Sequence, residues 1–428
     1  MIIRILRIFL FVVLMVVFTV SAIAETNIER LNFMTSLELA FEHNPQMIEA
    51  RKAIESSKGD LITTRALENL EAELEIGGLK KNEDGERNTN LNSIEIKQPL
   101  DPIGVRFLRN KIASNQVHIQ NETLRSTWAS VYLQVRESYS RIILNIKELE
   151  LTEDNLNAMR QFFGRVQERY QAGEALKNDF QRAKIELLQA QHAYLAAEKT
   201  LKTDKARLNL VLGRSLETEF EVEEKLEEEN LHTSIEKLKS MALANRPDIK
   251  IAALELDSKK KNLFKEELNR LPSYFLGFKH ADEAEGDDDY AVLVGLSIPL
   301  WNFNQGEVKK AKAEMEAQMT RSQAVTNEAL FDVYQTYLEA ELAQKQFELS
   351  KKSLEEANEL MRLANLKYSE GEIDFLNYLD QIKTARQSKV NYYEGLFHLS
   401  RSISALEALI YSSLRQEEFF DEKFKNNL

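Results

Sequence analysis

Apolar side chains recur at alternating steps of four and three residues inside a long stretch without proline, 104–170. The repeating positions are Trp128, Tyr132, Val135, Tyr139, Ile142 and Ile146. This spacing indicates the contact face of a coiled coil. About 65 helical residues, each rising about 1.5 Å, would extend roughly 100 Å. A second stretch without proline covers 305–368, so the pattern predicts very long helices in both halves of the chain.

Four short segments alternate two sets of side chains in period two, and in the first two the alternation is strictly apolar against charged, which predicts strands with two unlike faces. They are Leu70–Ile76, Ile94–Lys97, Tyr274–Lys279 and Tyr290–Ile298. Any one of them would also fit a half-buried soluble strand. Together they favour tilted membrane strands, which need about 9–11 residues. Four strands cannot close a barrel, and open edges are not tolerated in lipid, so this interpretation requires a barrel shared by three protomers.

The two halves of the chain resemble each other in three landmarks that occur in the same order. Leu39–Pro45 recurs as Met241–Pro247, Gln98–Leu100 as Ile298–Leu300, and Arg169–Glu174 as Lys367–Glu372. An ordered repeat of this kind indicates duplicated architecture. The predicted division is therefore a first repeat over 25–230 and a second over 231–428, the latter including the C-terminal tail. Each repeat is expected to contain a helix, a β-hairpin and a long helical hairpin.

The first 24 residues have the composition of an export signal. Two arginines precede an uninterrupted apolar run over 8–18, and Ala22 and Ala24 occupy the positions that a signal peptidase reads. The prediction is a signal peptide over 1–24, with a retained membrane anchor as the alternative. We therefore expect an exported protein.

Composition narrows the function classes further. The chain carries a net charge of −13, which argues against a nucleic-acid partner. It contains no cysteine, and its six histidines show no metal-ligand spacing, so neither a thiolate nor a zinc site is expected. No nucleophile elbow, phosphate loop or dinucleotide fingerprint is present. The sequence predicts no enzyme activity, no resident metal and no cofactor.

The duplicated landmarks resemble those of the TolC family of outer-membrane efflux proteins. The similar motifs are Asn44-Pro45, Gln98-Pro99-Leu100, Leu208–Gly213 and the Tyr-x-x-Gly turns at 170–173 and 368–371. The resemblance implies a mainly α protein with a membrane β-barrel. In it, a two-repeat coiled-coil tunnel joins four strands per protomer in a shared trimeric barrel. It also implies an outer-membrane location reaching into the periplasm, contact with lipid, and work with a periplasmic adaptor and an inner-membrane pump.

Two segments are similar to the cobalt-zinc-cadmium efflux subgroup of that family. They are 98–106 and 298–307. The second departs from the subgroup pattern at Trp301 and Phe303, and also at Ser297 immediately before it. This resemblance implies a passive exit duct for divalent heavy-metal cations beside a proton-driven pump. The same duct could instead serve drug or small-molecule efflux, or type I secretion. From a different class, a soluble periplasmic coiled-coil scaffold or adaptor would also account for the long helices.

The resemblance places the periplasmic aperture on the second-repeat turn. The family pattern has Asp six and nine residues after the turn glycine, and from Gly371 these positions are Asn377 and Asp380. Threefold symmetry would set three Asp380 carboxylates around the entrance, and Asp374 could substitute for the missing ring. The plain alternative is a solvated acid near a helix start, where the helix dipole favours negative charge.

The resemblance also implies a latch at the turns and a docking site for the adaptor. Tyr368 would hydrogen-bond Asp179 and hold the mouth shut, while Gly173, Gly371 and Tyr170 would belong to the docking turns. A basic partner found in relatives falls at Ile373, so that second restraint is expected to be absent. The plain alternative for the two glycines is a turn that needs positive φ.

Acidic side chains on the first hairpin are the last candidates. Glu71, Glu73, Glu75 and Glu95 would face the barrel lumen, because charges facing lipid are costly. They form either an acidic wall suited to cations or an ordinary polar lining. The acidic loop 283–289 could bind divalent cations through oxygen ligands, but a solvated acidic loop is the favoured interpretation.

Overall fold

The computed structural model describes residues 29–76, 91–223, 228, 230–282, 288–412 and 414. The predicted signal peptide, the polar loop at 81–88 and most of the acidic loop at 283–289 lie outside the described residues. So does the tail beyond residue 414.

The first half of the chain runs from a short strand through two helices and a hairpin into a long helical hairpin. Its elements are β1 (Glu29–Leu31), α1 (Phe33–His43), α2 (Pro45–Arg65), β2 (Glu71–Ile76), β3 (Leu91–Leu100), α3 (Val105–Gln171), α4 (Lys177–Val211) and β4 (Phe220–Val222).

The second half has the same order of helices, hairpin and long helical hairpin. Its elements are α5 (Ile235–Asn245), α6 (Pro247–Leu268), β5 (Ser273–Asp282), β6 (Asp288–Ser297), α7 (Gln305–Glu370) and α8 (Phe375–Ile410). The predicted fold class is confirmed: the protein is mainly α, with the four alternating segments forming strands. No described helix combines the length and the apolar character that a membrane span requires.

The predicted coiled-coil face of α3 is buried. Trp128, Val135 and Tyr139 are at most 2% exposed, whereas Ile146 at the end of the series is half-buried. The Asn-Pro landmark is a helix start: the Asn44 side chain accepts a hydrogen bond from the Gln46 amide at 2.8 Å, with proline in the first helical position. The first backbone amides of a helix have no carbonyl acceptor within the helix. The Asn44 side chain supplies an acceptor for one of them, which explains asparagine at this position.

The described residues form two compact units, and each unit draws on both predicted repeats. The first contains 29–40, 135–223 with residue 228, and 360–397. In it, β1 and β4 pair in parallel, Phe33 packs edge-on against Tyr139 at 5.8 Å, and the Tyr139 hydroxyl donates to the Leu31 carbonyl at 3.1 Å. The position of the repeat boundary stays a prediction.

The second unit contains 41–76, 91–134, 230–282, 288–359 and the residues from 398 onward. One apolar cluster of this unit joins α5, α7 and α8 through Leu238, Ala242, Val333, Ala340, Leu406 and Ile410. The fully buried Glu407 accepts hydrogen bonds from the Tyr132 hydroxyl at 3.0 Å and from the Leu414 amide at 2.8 Å. A buried carboxylate needs such donors, because it has lost water.

The second unit also contains an antiparallel sheet with strand order β2-β3-β5-β6. Residues directly opposite each other share a face, so the register defines two unlike faces. One face is apolar and includes Leu74, Ile94, Phe278, Val292 and Val294. The opposite face carries the hairpin glutamates and two lysines.

Candidate functional site

The two helical turns in the first unit share one backbone geometry. Gly173 and Gly371 have φ of 78° and 75°, and a Cβ at either position would meet nothing within 4 Å. Each glycine amide donates to the carbonyl of the tyrosine three residues earlier, Tyr170 or Tyr368, at 3.1 and 3.2 Å. Positive φ, not lack of space, therefore requires glycine at both turns.

A groove of about 520 Å³ lies beside these turns and is lined by residues of all four long helices of the first unit. We call it the turn groove. Its lining includes Arg165, Arg169 and Arg182 together with Glu174, Asp179 and Glu186. Its apolar floor includes Leu379, which packs with Leu156, Met159 and Ala190. The groove thus combines an apolar base with charges of both signs, as binding sites for protein side chains do.

The predicted latch residues both line this groove. Tyr368 lies on α7 and Asp179 on α4, 189 positions apart in the chain. The Tyr368 ring stacks on Tyr378 with 4.4 Å between centroids and 5° between planes. The Tyr378 hydroxyl donates to Asn365 at 2.7 Å. The latch remains a proposal, but its two members are brought to one site.

The Tyr170 ring at the first turn stacks on Phe180 at 5.0 Å. Tyr170 is therefore held by the helix that follows its own turn, as Tyr368 is held by Tyr378.

The predicted aperture residues lie at the start of α8. A side-chain oxygen of Asp374 accepts a hydrogen bond from the Asn377 amide at 2.8 Å, so Asp374 caps the helix. Asn377 and Asp380 are exposed. Asp374 thus has a structural role in addition to lining the turn groove, and Asp380 keeps an exposed carboxylate.

An ion pair that the sequence did not predict joins α8 to α4. Lys383 Nζ lies 2.7 Å from Glu186 Oε1, and the two side chains are 48% and 23% exposed. Glu186 also lines the turn groove. This contact ties the two helical hairpins together near the position where the latch is proposed. It is a charged restraint at the turns, where Ile373 replaces the basic residue found in relatives.

The charged face of the sheet carries the four predicted glutamates. Glu73 lies opposite Glu95 in the register, and Lys97 Nζ lies 3.3 Å from Glu73 and 3.0 Å from Glu95. Glu75 accepts a hydrogen bond from Ser93 at 3.0 Å and has Lys279 Nζ at 3.8 Å. The predicted acidic wall is therefore partly neutralised.

Sequence alternation could have located these lysines. Once the strand register is known, it places Lys97 and Lys279 on the same face of the sheet as the glutamates. Glu71 is opposite Lys97 in the register, yet it makes no ion pair within the described residues. Among those residues, no cluster of three potential metal ligands occurs.

The apolar face of the same sheet is largely exposed. Val292, Val294 and Leu296 on β6 are 80%, 72% and 61% exposed, and Leu74 and Ile76 on β2 are 61% and 69% exposed. A contiguous exposed apolar surface on one side of a sheet indicates contact with lipid or with another protein surface.

Comparison with known proteins agrees with this architecture. The chain is 20% identical over 385 residues to the cobalt-zinc-cadmium resistance protein CzcC of Cupriavidus metallidurans, covering 89% of this chain and 90% of that protein. It superposes on the CmeC outer membrane channel of Campylobacter jejuni with a TM-score of 0.77, 14% identity, and 92% and 88% of the two chains covered. The open state of the MtrE outer membrane channel of Neisseria gonorrhoeae gives a TM-score of 0.72, 18% identity, and 90% of each chain covered.

The family model described as outer membrane efflux protein matches residues 36–214 and 238–409. These two segments include both hairpins and all four long helices except Ile410, the last residue of α8. The chain belongs to the outer membrane efflux protein family.

Proposed function

We propose that this chain forms the homotrimeric outer-membrane exit duct of a tripartite efflux system for divalent heavy-metal cations. It would work with a periplasmic adaptor and a proton-driven inner-membrane pump. The observation that carries the proposal is the two-faced sheet, exposed and apolar on one side and charged on the other, in a chain whose helices α3 and α7 reach 67 and 66 residues. A conduit through lipid needs such a sheet, with its charges turned toward the lumen.

The sheet supports the trimer, because β2 and β6 are its edge strands. Unpaired edge groups beside an exposed apolar face are costly in lipid, and pairing with a second copy removes them. Helix α7 offers a further contact surface. Apolar side chains between 45% and 66% exposed follow one another at mostly helical spacing: Phe331, Tyr334, Leu338, Leu342 and Leu349. A second copy is the proposed occupant of this stripe.

Two observations support divalent metal as the cargo. CzcC, which the chain matches over most of its length, is named as a cobalt-zinc-cadmium resistance protein. On the charged face, Glu71, Glu73, Glu75 and Glu95 outnumber Lys97 and Lys279. An excess of carboxylates along a conduit favours cations over anions.

The turn groove supports the proposed role of the adaptor. Its apolar base and mixed charges suit the side chains of a protein partner. Such contacts would separate α7 and α8 from α3 and α4, release Tyr368 from Asp179, and widen the mouth around Asp380. The pump supplies the energy, and the duct itself opens and conducts.

The test is a susceptibility panel on a strain lacking this chain, complemented with the wild type, with an empty vector, or with Glu71→Gln and Glu73→Gln together. We expect the deletion to sensitise cells to zinc, cobalt and cadmium, and the paired variant to complement less well than the wild type. Sensitivity to drugs with unchanged metal tolerance would show that the cargo is not divalent metal, while the proposed exit duct would stand. Recovery of the protein in the soluble periplasm would favour the scaffold alternative.

A further inference from the structure

Exposed apolar side chains gather where the strands join the long helices. Trp301 is 93% exposed, and on the same segment Leu300 and Phe303 are 65% and 55% exposed. In the other repeat, Ile103 and Phe107 are 81% and 63% exposed. We call these five residues the junction patch.

Both junctions leave the sheet at the same end. The register pairs Leu100, the last residue of β3, with Tyr274, and pairs Tyr274 with Leu296 near the end of β6. The junction patch therefore lies at one end of the sheet, beyond its last hydrogen-bonded residues.

Charged side chains flank the patch. Arg109 pairs with Asp101, and its guanidinium is also 3.9 Å from Glu68. The Lys111 ammonium lies over the Phe107 ring, 5.6 Å from its centroid. From Ile103 through Phe107 to Lys111 the side chains change from apolar to aromatic to charged over about two helical turns. The same succession of environments occurs across a lipid headgroup layer, where tryptophan is enriched.

The far end of the sheet carries aromatic rings as well. Tyr290 is 61% exposed and stacks on His280 with 4.7 Å between centroids. Between these ends, β6 has ten residues, which matches the about 9–11 residues of a tilted membrane strand.

A hydrogen-bonded clip holds the Trp301 segment in place. Asn304, in the left-handed region at φ 57°, donates through Nδ2 to the Glu266 carbonyl at 2.8 Å and to its carboxylate at 2.9 Å. The segment after β6 is thus attached to the end of α6, so Trp301 sits at a fixed distance along the sheet.

We propose that the junction patch lies in the lipid headgroup layer of the outer membrane, with Trp301 as the anchor that sets the depth of the sheet. The inference rests on the proposed function, because it requires the sheet to span that membrane. Lipid is the occupant because the patch adjoins the end of a sheet with an exposed apolar face and is flanked by charged side chains. A protein partner would bury Trp301 away from lipid and is an outcome of the test.

The experiment measures the depth of Trp301 in proteoliposomes of the full chain. The sequence has two tryptophans, and Trp128 is only 1% exposed, so the difference between the wild type and Trp301→Phe isolates the Trp301 fluorescence. Lipids brominated near the headgroup are compared with lipids brominated deep in the acyl chain. We expect shallow bromines to quench the Trp301 signal about twofold more than deep ones.

The reference is Val294→Trp in the Trp301→Phe chain, since Val294 is 72% exposed in the middle of the apolar face. Deep bromines should quench that variant more strongly. If the reference is quenched and Trp301 is not, the anchor is overturned while the membrane-spanning sheet stands. If neither is quenched, the proposed membrane placement fails, and the anchor with it. Should Trp301→Phe fail to assemble, Trp128→Phe leaves Trp301 as the sole tryptophan and gives the same comparison.

Discussion

Glu73 and Glu95 lie directly opposite each other on β2 and β3, two like charges in one cross-strand pair. Such a pair destabilises a sheet unless a cation is close. Lys97 supplies that cation, with its ammonium 3.3 Å from Glu73 and 3.0 Å from Glu95. The charged face therefore holds two ammonium groups among four carboxylates, so the loss of a single lysine changes its net charge appreciably.

Lys97→Met should increase the cation selectivity of the reconstituted channel. The substitution leaves Glu73 and Glu95 without the ammonium between them, and a trimer would lose three positive charges from its conduit. We expect the cation-to-anion permeability ratio, measured from reversal potentials in planar bilayers, to rise about twofold. Lys345→Met is the matched control, because it removes the same charge from an exposed helical pair with Glu341 on α7. An unchanged reversal potential for Lys97→Met would place the charged face outside the conduit.

Tyr368→Phe combined with Asp179→Ala should raise single-channel conductance. Both side chains line the turn groove, so the pair removes the proposed hydrogen bond between the two helical hairpins. The expected rise is about twofold, because without this bond each channel spends more of its time in the wider state, even with no adaptor present. Tyr170→Phe is the control, since it removes a hydroxyl at the other turn, where the ring stacks on Phe180. Equal conductance in the double variant and the control would remove the latch.

Lys383 and Glu186 should act as a second restraint on the same movement. Breaking their 2.7 Å contact with Lys383→Met or Glu186→Gln is expected to raise open-channel occupancy about two- to fivefold, the range of a partly exposed ion pair. The exchange of both charges, Lys383→Glu with Glu186→Lys, should restore the closed occupancy. A double-mutant cycle on conductance gives the coupling. Additive effects of the single variants would show that the contact carries no restraint.

The long helices were predictable because their pattern is long. A contact face of six apolar positions leaves little room for error, and the prediction of 104–170 differs from the observed Val105–Gln171 by a single residue at each end. Strands β2, β3, β5 and β6 followed from alternation, although the predicted Ile94–Lys97 covers only part of the observed Leu91–Leu100. Strands β1 and β4 were missed because three residues are too few to show a period of two.

Contacts between distant helices could not be predicted in the same way. Periodicity shows which face of α8 carries Lys383, but not that α4 brings Glu186 to it from 197 positions away. The neutralisation of Glu73 and Glu95 needed the strand register, because a shift of one residue would move Lys97 to the other face. The turn glycines are the opposite case, since positive φ is a local requirement that Gly173 and Gly371 satisfy alone.

The clip between Glu266 and Asn304 should be pH-dependent. Burial is the largest single influence and raises the pKa of Glu266, but hydrogen bonds from Asn304, Lys265 and Asn269 together outweigh it, so the pKa lies below the ordinary 4.5. Because the folded-state pKa is lowered, the stabilisation is complete above pH 4.5 and is lost as the pH falls through the folded-state pKa.

Hydrogen exchange of the amides in 300–308 tests this clip. At neutral pH, Glu266→Gln should exchange roughly 3- to 10-fold faster than the wild type, since a charged acceptor is replaced by a neutral one. The difference should shrink as the pH falls through the folded-state pKa of Glu266, which lies below 4.5. Glu267→Gln is the control at the adjacent position. A difference that is constant with pH would mean that the carboxylate charge does not hold the segment.

Gly295→Ala should destabilise the sheet because of one neighbour. Gly295 lies opposite Phe275, and a Cβ at Gly295 would be 2.1 Å from the Phe275 ring. Overpacking of this kind costs about 1–3 kcal/mol, so the thermal midpoint of the folded protein should fall. Adding Phe275→Leu should recover most of the loss, since it removes the ring. Gly59→Ala, inside α2 with nothing within 4 Å, should instead stabilise by about 0.5–1 kcal/mol. If Gly295→Ala leaves the midpoint unchanged, the ring moves aside freely, and the glycine is not required for packing against Phe275.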